Sequence, residues 1–368
     1  MKVLMLSIDP KLLDPKSAVS ERIGGYCQLA DEIHIIVYTP ALGIGEQEKK
    51  LTKLSGNVFV YPTNNKSKLG YFRTAYRLAS ELIGRGEQFV ITSQDGLTNL
   101  LAVLLSWRYK LGLEIQIHTD IFSPYFRAES LMNKLRLFGY WLGVKRAKSV
   151  RVVSKRIAKQ LRESWSVPGS KIVVLPVFVD KERWQERGPG SDLHAKYPQF
   201  KQIILMASRL VREKDFPLAL DVFGDLLPRF PKLGLVVVGE GPLKEQIVRD
   251  SVVLEPWAQD LSAYYRSADV FLLTSKYEGY GLSLVEAALS GLPIVTTDVG
   301  IVGDLITPHN ALIAPVGDRV KLVAHLGFLL ANDAARVMMK ERLAKVVDHL
   351  PDKEVYMKLL KQSWQKCL

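Results

Sequence analysis

The sequence predicts an α/β protein with two doubly wound parallel sheets, and three observations carry that prediction. Short apolar, β-branched runs alternate with helical segments along most of the chain. The alternation breaks near residue 176 and restarts at 203. At 368 residues the chain also suits two domains of roughly 150 to 200 residues better than one core. Strands buried by helices on both faces favour parallel pairing.

The first strand covers residues 2–7 and the second 33–38, with a helix over 20–30 between them, a βαβ opening. Strands at 58–61, 89–92, 114–118, 150–153 and 172–175 follow, separated by helices around 71–83 and 97–109. Residues 177–200 are charged and carry Gly188, Pro189, Gly190 and Pro198, the composition of an interdomain linker. A second alternation opens with a strand at 203–206, a helix at 217–227, a strand at 235–238 and the loop Gly239-Glu240-Gly241-Pro242. That loop is only part of a dinucleotide-binding glycine pattern. After residues 254–257 and a helix at 261–266 comes the stretch 270–300, around which the second half is organised.

This stretch reads strand, glycine-broken loop, helix, strand. Ser283 and Glu286 have capping-box spacing, Gly291 and Pro293 make a stop, and the helix is expected over 284–290. Gly279 and Gly281 therefore open onto a helix N-terminus, where backbone N–H groups and the helix dipole suit a phosphate or a sugar oxygen. On spacing alone a second reading stands beside this one: glycines that only turn the chain, Glu286 as a cap and Glu278 as a solvated charge. The domain limits are 1–178, 179–350 and a final helical segment, 351–368.

Composition narrows the classes. The opening apolar run before Asp9 is too brief for a signal peptide, and no segment reaches the about 18 apolar residues that span a bilayer, so a cytoplasmic location is expected. Cys27 and Cys367 lack metal or redox spacing. Fifty Lys plus Arg against 38 Asp plus Glu give a formal charge of +12, which favours anionic partners: nucleic acid, phospholipid head groups or phosphorylated substrates.

The run E-G-Y-G-L-S-L-V-E at 278–286, followed by Ala287, Gly291, Pro293, Ile294 and Val295, resembles the signature of the retaining, family-4-type nucleotide-sugar glycosyltransferases. Ser208-Arg209-Leu210 with Glu213-Lys214-Asp215 resembles the same family's G-R-L-x-x-x-K-G element, with Ser208 and Asp215 at its glycine positions. The resemblance implies a GT-B fold, two Rossmann-like domains facing across a cleft, with the C-terminal helix returning to the first. It further implies that Arg209 and Lys214 clamp the donor diphosphate, where cations stabilise the charge growing on the leaving phosphate. Glu286 would bind the donor ribose and Glu278 the transferred sugar. The backbone of Gly279, Tyr280, Gly281, Leu282 and Ser283 would hold sugar and distal phosphate, and Leu254 and Glu255 would lie at the base-binding strand end. His118, with Asp120 as companion, would face the donor sugar from the first domain; a packed strand-end histidine is the plainer reading. The di-glycine that many relatives carry after the first strand has no counterpart here, because Gly24-Gly25 falls inside the expected helix, leaving Arg22 as a cation nearby.

No D-x-D occurs in the chain, and transfer without a metal or other cofactor is expected. From 130 to 162 there is no acidic residue, whereas Lys134, Arg136, Lys145, Arg146, Lys148, Arg151, Lys155, Arg156, Lys159 and Arg162 stand among Leu131, Leu135, Phe138, Tyr140, Trp141 and Leu142. Such a segment suits an anionic membrane surface, unless its apolar residues face the core. Nucleic-acid modules are missing, so nucleic acid is not expected as a partner. The functional expectation is a retaining hexosyltransferase using a nucleoside diphosphate sugar and a glycan or lipid-linked acceptor at the inner membrane face. The alternative is a non-catalytic basic binding protein on the same scaffold.

Overall fold

A computed structural model describes residues 1–40, 52–84, 88–185, 192–258 and 260–368. Gly188, Pro189 and Gly190 of the expected linker lie outside the described residues. The chain forms two compact units: Met1–Val153 with Ile157–Pro176 and Glu354–Leu368, and Ser154–Arg156 with Val177–Lys353.

The first unit holds β1 (Lys2–Ser7), β2 (Glu32–Val37), β3 (Thr52–Ser55), β4 (Val58–Pro62), β5 (Phe89–Ser93), β6 (Gly112–Ile117), β7 (Ser149–Val152) and β8 (Ile172–Val174). Their order in the sheet is β3-β4-β2-β1-β5-β6-β7-β8. All neighbours run parallel except β3 and β4, which form an antiparallel edge hairpin with a bulge between Lys53 and Ser55. That hairpin was not expected; its signal was the two-residue turn Gly56-Asn57 between β-prone runs. β5 and β6 are buried along their whole length, as central strands covered on both faces must be.

The first helix is shorter than expected. Ser17 caps Ala18–Gly24 by accepting from Ser20 N–H at 3.1 Å, and a 3-10 turn, Gly25–Gln28, follows. Gly24-Gly25 thus ends the helix instead of lying inside it. The last helix, Lys353–Gln365, packs within this unit. Its Trp364 is fully buried with an edge-to-face contact to Tyr26, ring centroids 6.3 Å apart, and a Cβ on Gly112 would meet the Cys367 carbonyl oxygen at 1.8 Å.

The second unit holds β9 (Gln202–Ala207), β10 (Leu233–Val238), β11 (Val252–Glu255), β12 (Val270–Leu273), β13 (Ile294–Thr297) and β14 (Leu312–Ala314). Their order is β11-β10-β9-β12-β13-β14, all parallel. This is the doubly wound Rossmann order, with its direction of winding reversed between β9 and β12. Among the described residues no single helix is long and apolar enough to cross a membrane.

Two helices of the first unit, Gly96–Tyr109 and Leu131–Arg146, approach so closely that a Cβ on Gly139 would meet the Gly96 carbonyl oxygen at 1.8 Å. Neither backbone can yield without moving its helix. Gly139→Ala is expected to destabilise the protein by about 1 to 3 kcal/mol, read as a lower urea midpoint, because an extra methyl has no space at this contact.

Candidate functional site

The reversal between β9 and β12 sets two loops side by side at the carboxyl ends of their strands, where open α/β sheets bind ligands. After β9 the chain passes Ser208, Arg209 and Leu210 into a 3-10 turn, Arg212–Lys214. After β12 it runs through Glu278 into the helix Leu282–Leu289. The loops are tied together. Lys276 N–H donates to the Glu213 carbonyl at 2.8 Å, the Thr274 hydroxyl to the Lys214 carbonyl at 2.8 Å, and the Lys276 ammonium lies 3.3 Å from Asp215. Asp215 takes a left-handed φ of 51°, which a short polar side chain tolerates better than most, so the turn survives without the family's glycine.

Inside this junction the Lys214 ammonium donates to Glu278 Oε1, and the two side chains are only 11% and 13% exposed. The Ser275 hydroxyl donates to the same oxygen at 2.8 Å. Arg209 stands apart: its side chain is 75% exposed and sits 3.2 Å from Glu213. Of the two expected clamp cations, then, Lys214 is held in the junction and Arg209 projects from its rim.

The capping-box expectation fails. Gly281, with a φ of 88° open to glycine, precedes the first helical residue, no side chain caps it, and Ser283 already lies within the helix. The Glu286 carboxylate accepts instead from the Tyr265 hydroxyl at 2.8 Å. Burial pushes the Glu286 pKa up to about 7, and the Tyr265 bond pulls partly against that rise. The Tyr280 ring is buried, which raises its phenol pKa, and its carbonyl accepts from Ile301 N–H at 2.9 Å. Leu282 is 40% exposed, while Ser283 and Gly279 are buried. Gly300 lies against this loop, where a Cβ would meet the Tyr280 carbonyl oxygen at 2.3 Å and Glu278 Cβ at 3.0 Å.

At the end of β11, Leu254 is half-buried, and Glu255 is engaged by its own unit. Its Oε1 accepts from Lys196 and Tyr197, and its Oε2 from Tyr264 at 3.3 Å. Burial opposes ionisation, but the Lys196 ammonium and the Tyr197 hydroxyl outweigh it and hold the carboxyl below its usual range. The Glu255 carboxylate is thus the centre of an internal polar cage at the end of β11.

In the first unit His118 sits one residue beyond β6. Its Nε2 lies 3.0 Å from Gln116 Oε1; Gln116 Nε2 donates to Thr92 Oγ1 at 2.6 Å and to Glu114 Oε1 at 3.2 Å; and Thr92 Oγ1 donates to the same Glu114 oxygen at 3.0 Å. The buried Arg151 lies 3.5 Å from that oxygen. Because Glu114 offers an acceptor, Gln116 must turn its NH₂ inward and its carbonyl outward. His118 therefore carries its proton on Nε2 and presents Nδ1 as an acceptor. Crowding by the surrounding protein, then the Arg151 and Arg22 charges, lower the imidazole pKa and keep it neutral at pH 7. His118 is itself exposed. The Asp120 Oδ1 accepts from Phe122 and Ser123 N–H, both at 3.1 Å, and shapes the turn ahead of the helix Pro124–Glu129.

Sequence reasoning missed Ser275, Tyr265 and Gln116. Only Gln116 had a visible signal, the alternation Glu114, Gln116, His118 on one face of an otherwise apolar strand. Among the described residues no group of three or more His, Cys, Asp or Glu is placed to hold a metal.

Comparison with known proteins bears on these units. A family model described as Glycosyl transferases group 1 matches residues 194–346, and one described as Glycosyltransferase Family 4 matches 27–183. The lipopolysaccharide core biosynthesis mannosyltransferase LpsB of Rhizobium meliloti is 28% identical over 39% of this chain and 42% of its own length. The sulfoquinovosyl transferase SQD2 of Arabidopsis thaliana is 22% identical over 81% of this chain and 64% of its own. The matched stretches thus span less than two thirds of either relative. Among solved structures, sucrose-phosphate synthase from Thermosynechococcus elongatus aligns at a TM-score of 0.78 and 18% identity, covering 100% of this chain and 98% of that one. Anabaena HepE in complex with UDP and glucose aligns at 0.76 and 16%, covering 99% of each.

Two outcomes follow for the isolated protein. A ¹⁵N-detected spectrum at pH 7 should show His118 as the Nε2–H tautomer, and Gln116→Glu should alter that signature. Glu286, with a folded pKa near 7 against 4.5 unfolded, binds more protons when folded, so its contribution makes stability fall as pH rises from 4.5 to 7. Glu286→Gln should flatten that dependence and be about 1 to 3 kcal/mol more stable than wild type at pH 8, by urea titration.

Proposed function

Since the chain belongs to the family 4, group 1 glycosyltransferases and has their GT-B fold of two Rossmann-like domains, we propose that it transfers a hexose from a nucleoside diphosphate sugar to a glycan or lipid-linked acceptor. In this reading the anomeric configuration is retained, no metal takes part, and the enzyme works at the cytoplasmic face of a membrane. The observation that carries it is the Lys214–Glu278 pair at the strand-order reversal, beside a helix N-terminus. A structural neighbour supports the donor class: HepE was solved in complex with UDP and glucose.

The bond from the sugar's anomeric carbon to the phosphate oxygen breaks while an acceptor hydroxyl bonds to the same face of that carbon, and its proton passes to the leaving phosphate. Lys214, with Arg209, stabilises the charge on that phosphate, and the backbone N–H groups at the start of the helix Leu282–Leu289 add to this field. Glu278 holds hydroxyls of the transferred sugar, and Glu286 holds the ribose. Positioning and charge stabilisation supply the rate; no covalent protein intermediate is required.

A panel of nucleoside diphosphate sugars, assayed for nucleotide release, tests this. Wild type should release nucleotide from at least one donor, with Lys214→Ala and Glu278→Ala each slower by about 10²- to 10³-fold. If every donor is inert while nucleotide binding persists in both variants, the non-catalytic binding protein is the correct reading. EDTA should leave the rate unchanged; loss of activity restored by manganese would overturn metal independence.

A further inference from the structure

The helix Leu131–Arg146 has two apolar faces, and only one is used inside its unit. Asn133, Gly139, Tyr140, Gly143 and Val144 are buried. On the other side Leu131 is 80% exposed, Leu135 45% and Phe138 52%. Spacings of four and three residues make these a single stripe. It continues into Trp141, whose ring stacks on Phe138 with centroids 6.0 Å apart, and ends at Lys145, whose ammonium lies 3.9 Å from the Trp141 centroid. Beside that end is a crevice of about 190 Å³ lined by Trp141, Val144, Lys145, Trp165, Val167 and Lys171.

Not every cation of this segment faces solvent. Arg151 is buried beside Glu114, Arg136 lies 3.2 Å from Asp95, and Arg146 donates to the Ser106 carbonyl. Lys134 and Lys145, which flank the stripe, remain exposed.

We infer that this face docks on an anionic lipid bilayer. Leu131, Leu135 and Phe138 enter the interfacial layer with the helix lying in its plane, and the crevice between Trp141 and Trp165 receives a lipid head-group phosphate, to which the Lys145 and Lys171 ammonium groups donate. An apolar stripe bordered by lysines, with two tryptophans at the edge, is complementary in both polarity and charge to such a surface. A second copy of the chain fits less well, since a symmetric contact would oppose Lys134 and Lys145 to equivalent lysines. The inference deepens the acceptor half of the functional reading and does not depend on the donor chemistry.

Co-sedimentation of the full chain with phosphatidylcholine vesicles, with and without about one third phosphatidylglycerol, tests it. The expected result is at least about tenfold stronger partitioning onto the anionic vesicles, weakened by high salt. Leu135→Glu with Phe138→Glu should abolish binding, and Lys145→Glu with Lys171→Glu should weaken it about tenfold. These positions are solvent-facing or line an open crevice, and circular dichroism checks the fold of each variant. Equal binding to both vesicle types, no binding to either, or undiminished binding by the Leu135→Glu, Phe138→Glu variant would overturn the inference. So would a wild-type dimer in light scattering that this variant dissolves, without vesicle binding. Nucleotide release measured without vesicles should be the same in the Leu135→Glu, Phe138→Glu variant as in wild type, which separates failure of docking from failure of the transferase reading.

Discussion

The bond from Lys214 to Glu278 is the contact on which the second unit's site depends. Two opposite charges mostly removed from water stabilise each other only while both are present, and either one alone in that junction would be costly. Such a pair contributes little net stability compared with apolar packing of the same volume. Its retention at the point where the sheet reverses its winding therefore accords with a ligand that competes for the ammonium. The neighbouring bonds from Thr274, Ser275 and Lys276 hold both loops before any ligand arrives. A diphosphate approaching Lys214 would meet a cation already placed, with little side-chain entropy left to lose.

The first unit links a buried ion pair to a row of neutral groups. The row from Arg151 through Glu114, Thr92 and Gln116 to His118 converts a buried charge into a fixed amide orientation, and that orientation selects a histidine tautomer. A histidine at a strand end is legible in sequence, but its tautomer is not, because the residues that decide it come from three strands. The same limit explains Asp120 and Glu255. Both are candidates by their place after strands, and only the fold shows that one carboxylate also shapes a local turn and the other an internal cage.

Charge composition was a partial guide to the basic segment. Its ten cations read alike in sequence, yet Arg151 faces inward and Arg136 and Arg146 have partners within the unit. Conversely, Leu131, Leu135 and Phe138 read like core residues and are exposed. The helix is apolar on two sides, so its pattern could not say which side packs. The close approach of Gly139 to Gly96 decides it, because only a face that lacks a side chain there admits the neighbouring backbone.

By itself the sequence determined the alternation of strands and helices, the two sheets and the family, since apolar periodicity and the motifs at 208–215 and 278–286 are local. It also placed Lys214, Glu278 and Glu286 among the residues of interest. Tertiary structure alone decided what those residues touch: Lys214 reaches Glu278 across 64 positions, and Glu286 takes Tyr265 as its partner in place of its own helix end. The antiparallel hairpin of β3 and β4 and the early helix start after Gly281 were likewise settled by backbone conformation. The physical reason is common to all of these. Propensity and periodicity act over a few residues, whereas hydrogen-bond partners and burial are set by which strands lie side by side.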